Sequence, residues 1–129
     1  MKRNRLRYAW AALLVVAAGL ASRRMAGASP WAQMPGDVLW ATLVFVLVGF
    51  VRPAWSTARV AAVALAVAFA VEASQAVHLP WLDAVRGTVL GRLVVGTSFY
   101  APDLLAYAVG VMLGALVEIG LMPRAQRRS

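Results

Sequence analysis

Glu72 stands in a long apolar run, with Gln75 three residues on and His78 three beyond that. On a helix, Glu72 and Gln75 share a face one turn apart. A carboxylate so placed can act as a general base with an orienting amide, or the two groups can hold a polar ligand. They can equally form a buried hydrogen-bonded pair that holds helices together. Asp103 and Tyr107 are also one turn apart and open another apolar run. An aspartate there can bind a ligand or complement the positive end of a helix dipole. Asp37, beside Gly36 and ahead of a third apolar run, has the same two readings. Tyr107 reads as a core tyrosine bonded to Asp103 or Glu72, not as a nucleophile. Arg86 and Arg92 could hold a phosphate, a lipid head group or a carboxylate, or snorkel to head groups. His78 could shuttle protons, but its position fits a polar boundary residue better. The candidate ligand-binding residues are therefore Asp37, Glu72, Gln75, Arg86, Asp103 and Tyr107, and Glu72 is the candidate catalytic residue.

Other chemistries are disfavoured. The chain has no cysteine, which removes disulfides, thiolate metal sites and cysteine nucleophiles. It has no His-x-x-x-His pair, no carboxylates at metal spacing and no glycine loop at a strand–helix junction. No metal or cofactor is expected. The net charge of +8 raises the question of nucleic acid, but the basic residues do not form a stripe. Lys2, Arg3, Arg5 and Arg7 gather at one end, and Arg124, Arg127 and Arg128 at the other. Clusters that flank apolar runs are topology signals with a pull toward anionic head groups, so no nucleic-acid partner is expected.

The elements that must position these groups are membrane helices. Of 129 residues, 62% are hydrophobic and 14% charged, against roughly 25% charged in a soluble domain. Four spans are predicted, at about 6–21, 35–51, 58–79 and 102–122. Pro35 and Pro102 suit first-turn positions, Ser56 or Thr57 could cap the third span, and Pro53, Pro80 and Pro123 follow span ends. Crossing a bilayer takes roughly 20 residues, so the first two spans are short and would stand nearly upright. A basic start followed by an apolar run and Ala26-Gly27-Ala28 also resembles a cleavable signal peptide. Against that stand the length of the run and Arg23-Arg24 just before the cut. With both ends cytoplasmic, nine basic residues lie inside and four outside, the bias the positive-inside rule expects.

In that topology Asp37, Glu72, Asp83 and Asp103 gather at the outer face, and Glu118 alone lies toward the inner side, as a polar residue near the interface. A carboxylate within a membrane helix costs roughly 2–3 kcal/mol or more unless paired, solvated or protonated. The outer groups are therefore expected to face one another. On span four, Asp103, Tyr107, Gly110 and Gly114 form a stripe that passes close to Glu118. Gly110 and Gly114 make a GxxxG that permits close helix approach and a possible homo-oligomer contact. On span three, Glu72 and Gln75 share a face with Ala61, Leu65 and Ala68. Residues 81–96 are too short and glycine-broken to span and suit an interfacial or re-entrant element covering the polar mouth.

The motifs Gly36-Asp37-Val-Leu-Trp40-Ala41, Glu72-Ala-Ser74-Gln75, Pro80-Trp81-Leu-Asp83-Ala-Val-Arg86-Gly-Thr88, Gly91-Arg-Leu-Val-Val-Gly96 and Asp103-Leu-Leu-Ala-Tyr107-Ala-Val-Gly110 resemble the VanZ-like membrane proteins. They are more closely similar to a bacterial branch known as domain of unknown function 2809, which Gly19-Leu20-Ala-Ser22-Arg23 also fits. The wider group tends to carry asparagine at the position of Tyr107, so its role in glycopeptide resistance does not transfer. The resemblance implies one VanZ-like transmembrane domain over residues 1–129, in a bacterial inner membrane, with its polar motifs acting as a unit.

Three functions fit these observations. The first is binding of a polar ligand or lipid head group at an outer-facing site, in cell-envelope biology. The second is an intramembrane enzyme on a lipid-linked substrate, with Glu72 as base. The third is a structural bundle that oligomerises through Gly110 and Gly114. Membrane lipids are partners in all three.

Overall fold

A computed structural model describes residues 3–25, 30–74, 80–88 and 102–121. Among these residues there are five helices and no strand: α1 (Arg5–Met25), α2 (Pro30–Val51), α3 (Thr57–Ser74), a short α4 (Pro80–Arg86) and α5 (Pro102–Leu121). Local chemistry sets where they begin. The Asn4 side-chain oxygen accepts hydrogen bonds from the Leu6 and Arg7 amides at 3.0 and 3.4 Å and caps α1. The Ser56 hydroxyl accepts the Arg59 amide at 3.2 Å and caps α3. Prolines open α2, α4 and α5, where a missing N–H costs least.

The first two spans are longer than their apolar runs suggest. α1 has 21 residues and α2 has 22, with Pro35 inside α2 rather than at its start. Proline at 35 gives up one backbone bond, and the helix continues through it. At 1.5 Å per residue, α2 is about 33 Å long, enough to cross the hydrocarbon core without being upright. α3 is described to Ser74, and the remainder of the predicted third span lies outside the described residues.

α2 is the central element and packs on α1, α3 and α5, while α5 also packs on α3. The Arg5 guanidinium donates to the Phe50 and Val51 carbonyls at 3.0 and 3.4 Å. This caps the end of α2 and fixes α1 antiparallel to it. Successive spans thus alternate in direction, giving one end that carries Glu72 and an opposite end that carries Glu118. α2 and α5 run parallel and close. A Cβ on Gly110 would fall 2.1 Å from the Val38 carbonyl oxygen, and one on Gly114 would fall 2.8 Å from the Phe45 ring. The Thr42 hydroxyl, 2.8 Å from the Gly110 carbonyl, bridges the two backbones. The predicted GxxxG contact is therefore made, but with α2 of the same chain. Only glycine lets the α2 backbone come so near.

The core combines Ala41, Phe45, Val60, Ala64, Ala68, Tyr107, Val111 and Ala115. Its small side chains let the helices lie close together. The outward surface is apolar, with Leu6, Trp10, Leu13 and Leu14 exposed on α1 and Leu105, Met112, Leu116 and Val117 on α5. Water would not tolerate so continuous an apolar surface, and lipid would. α1, α2, α3 and α5 are each long and apolar enough to cross a membrane. The chain is an all-α polytopic membrane protein.

Candidate functional site

On α3, Val60, Ala64, Ala68 and Glu72 are buried in succession, a four-residue spacing that keeps one stripe against α2 and α5. The stripe expected through Ala61 and Leu65 is displaced by one residue, although both still pack at the edge of the core. Glu72 ends the stripe with no exposure at all, 0%. α5 brings Tyr107 opposite it, and the Tyr107 hydroxyl donates to Glu72 Oε2 at 2.7 Å. Of the two partners expected for Tyr107, the hydrogen bond selects Glu72. Trp40 of α2 packs on the Tyr107 ring, with centroids 5.2 Å apart and planes tilted by 48°. The phenol is therefore held from both sides.

Asp37 of α2 and Asp103 of α5 are half-buried, and their charges act on the Tyr107 hydroxyl. Neither aspartate nor Glu72 is without a partner. Carboxyl groups from three helices thus act on one phenol, and Glu72 is the one hydrogen-bonded to it. The structure places Asp37, Glu72, Asp103 and Tyr107 at one level of the bundle. Gln75, His78 and Arg92 lie outside the described residues. Arg86 is the last residue of α4, whose Trp81, Asp83, Ala84 and Val85 are exposed. The rest of the predicted covering segment lies outside the described residues. Among the described residues, no group of three or more His, Asp or Glu is placed to hold a metal ion.

The chemistry of this level follows from its inventory. Ionised carboxylates only accept hydrogen bonds, and the tyrosine supplies a single donor. A level rich in carboxyl groups is chemically able to receive a group that brings donors or positive charge. The Tyr107–Glu72 contact is also a proton donor and acceptor aligned at hydrogen-bond distance in a buried setting.

A second polar cluster lies at the opposite end and involves residues that the sequence did not single out. Glu118, expected at the interface, is 8% exposed, and Arg3 is 6% exposed. Arg3 Nε donates to Glu118 Oε1 and Arg3 Nη2 to Oε2 at 3.0 Å, a bidentate ion pair. The Tyr8 hydroxyl also donates to Oε1, and the Thr57 hydroxyl donates to Oε2 at 2.7 Å. The remaining Arg3 nitrogen donates to the Trp55 and Pro53 carbonyls at 2.5 and 3.2 Å. Burial alone would lower the Arg3 pKa, but the hydrogen bond and charge of Glu118 outweigh it and hold it above its ordinary value. Glu118 is drawn inward because a fixed cation meets it there. The readable signal was its position as the only acid at an end with many basic residues. Which arginine would turn inward is not encoded locally.

Four apolar helices enclosing buried polar contacts at both ends define a polytopic membrane protein with a candidate site at the Glu72 end. The chain belongs to the family described as protein of unknown function (DUF2809), whose model matches residues 27–111. That stretch contains Asp37, Glu72, Asp103 and Tyr107, but neither Arg3 nor Glu118. No solved structure matches the chain.

Proposed function

We propose that this protein binds a polar ligand or lipid head group at the level of Glu72 and serves cell-envelope biology from a bacterial inner membrane. Both termini are cytoplasmic in this reading, and the Glu72 end faces outward. Asp37, Glu72, Asp103 and Tyr107 line the site, with Gln75 and Arg86 as further contacts. The observation that carries the proposal is Glu72 itself. A fully buried glutamate bonded to a tyrosine, with two aspartates acting on the same phenol, is an arrangement that packing does not need. Ionisable groups within membrane helices are expensive and are a sign of function. Exposed arginine and the ratio of nine basic residues to four support the orientation.

The test compares Glu72→Gln, Asp103→Asn and Arg86→Gln with the parent protein for retention of envelope lipids through purification, read by mass spectrometry of the extracted lipid. The proposal expects at least one lipid or head-group species to be lost in all three while the protein stays folded. An unchanged lipid profile in all three would overturn it.

The aligned Tyr107–Glu72 contact favours a second reading, acid–base catalysis on a lipid-linked substrate. There, Glu72→Gln retains the substrate and abolishes its turnover. Turnover that survives Glu72→Gln removes Glu72 as the base.

A further inference from the structure

The connection between α2 and α3, at the Glu118 end, carries Trp55 between Arg52 and Arg59 in sequence. Trp55 is half-buried and packs against the core, and its carbonyl is tied to Arg3 at 2.5 Å, so the ring has a fixed seat. The guanidinium carbons of Arg52 and Arg59 lie 5.6 and 5.4 Å from the centroid of that ring. Both arginines are exposed. Two like charges held against one ring repel each other, and the ring's attraction for cations offsets this only in part.

Among the described residues, no acidic side chain supplies a counter-charge for them. The chain has five acidic residues. Asp37, Glu72, Asp83 and Asp103 belong to the opposite end. Glu118 is enclosed, and its two oxygens already accept from Arg3, Tyr8 and Thr57. At that end of α2, Leu47 and Val51 are exposed and apolar. Paired cations beside an apolar, lipid-facing surface are complementary to an anion that carries hydrocarbon.

We propose that Arg52 and Arg59, arrayed on Trp55, bind the phosphate of an anionic phospholipid head group, with its acyl chains along the neighbouring apolar surface of α2. This site is separate from the level of Glu72 and does not depend on its ligand. It also does not depend on which leaflet the Glu118 end occupies. A guanidinium pair suits phosphate because its planar N–H forks match phosphate oxygens.

The test uses the full chain in detergent, titrated with phosphatidylglycerol, phosphatidylcholine or soluble glycerol phosphate, with bound species counted by native mass spectrometry. Phosphatidylglycerol should bind well above phosphatidylcholine, and soluble glycerol phosphate should bind weakly for want of acyl chains. The double substitution Arg52→Gln with Arg59→Gln should lower phosphatidylglycerol affinity on the order of tenfold or more. Arg23→Gln with Arg24→Gln, an equal charge change at the other end, should leave it unaltered. Arg52 and Arg59 are exposed, so the fold should survive their substitution, as circular dichroism will verify. Equal losses in the two double variants, equal binding of phosphatidylcholine, or tight binding of soluble glycerol phosphate would each overturn the proposal.

Discussion

Each end of the bundle holds a buried glutamate bonded by a tyrosine hydroxyl, yet the two are chemically different. At one end, Glu118 meets Tyr8, Thr57 and both forks of Arg3. The charges cancel, and four donors occupy an anion with about four acceptor positions. At the other end, Glu72 accepts a hydrogen bond from Tyr107, and the charges of Asp37 and Asp103 act on the same phenol. The first arrangement is closed and joins the segment before α1 to the α2–α3 connection, α3 and α5. The second gathers carboxyl groups from three helices at the level of one tyrosine. A buried ion pair whose charges cancel has a structural role of its own, whereas three carboxyl groups at one level of a membrane bundle are costly and point toward function. We therefore read the Glu118 cluster as structural and the Glu72 cluster as the site.

The sharpest way to break this comparison is to remove each charge in turn. Glu118→Gln leaves the Arg3 cation buried without its anion, and unpairing a buried ion pair costs roughly 3–5 kcal/mol. Thermal unfolding in detergent should show this as the largest drop of any single change discussed here. Replacing Arg3 and Glu118 together by leucine should recover much of the loss.

Gly110→Ala comes next. Its Cβ would fall 2.1 Å from the Val38 carbonyl oxygen, so α5 must move away from α2 at a cost of roughly 1–3 kcal/mol or more. Disulfide trapping between cysteines introduced at Val38 and Val111, in this otherwise cysteine-free chain, should become slower. Unchanged trapping and stability would mean that the two helices do not approach so closely.

Tyr107→Phe deletes the hydrogen bond to Glu72 and should cost roughly 1–3 kcal/mol. Tyr8→Phe should cost less, because Glu118 keeps Arg3 and Thr57. If the two tyrosines prove equal, the contrast between a charge-cancelled cluster and a carboxyl-rich one loses its support.

The smallest expected effect on stability is from Glu72→Gln, which keeps the shape and an acceptor for Tyr107. We expect a change of under about 1 kcal/mol in urea or thermal unfolding. A loss as large as that for Glu118→Gln would make Glu72 another structural staple and would sink the site reading.

The comparison also explains why one cluster was readable in advance and the other was not. Asp103, Tyr107 and Gly110 fall on one stripe of α5 by helical geometry alone, and Glu72 falls at the matching level of α3 once the spans alternate. No detail of packing is needed to expect them to meet. Arg3, by contrast, lies 115 residues from Glu118 and outside any helix. Nothing in its neighbours separates it from Arg5 or Arg7. Gly49 is a further case. A Cβ there would lie 2.9 Å from the Tyr8 ring and 3.1 Å from Arg3 Cδ, so this glycine makes room for the cluster, yet in sequence it is merely a small residue in an apolar helix.

Composition and periodicity were enough to determine that this chain lives in a membrane as four apolar helices, because 14% charged residues cannot clothe that much hydrocarbon in water. They were also enough to gather four of the five acids at one end, since length and alternation leave no other arrangement. Tertiary structure decided how those acids are used. It chose Glu72 over Asp103 as the partner of Tyr107 and used the glycines of α5 to seat α2. It also turned one arginine inward to close off Glu118. Such choices depend on which side chains reach one another across helices, a matter of distance in space that no local pattern carries.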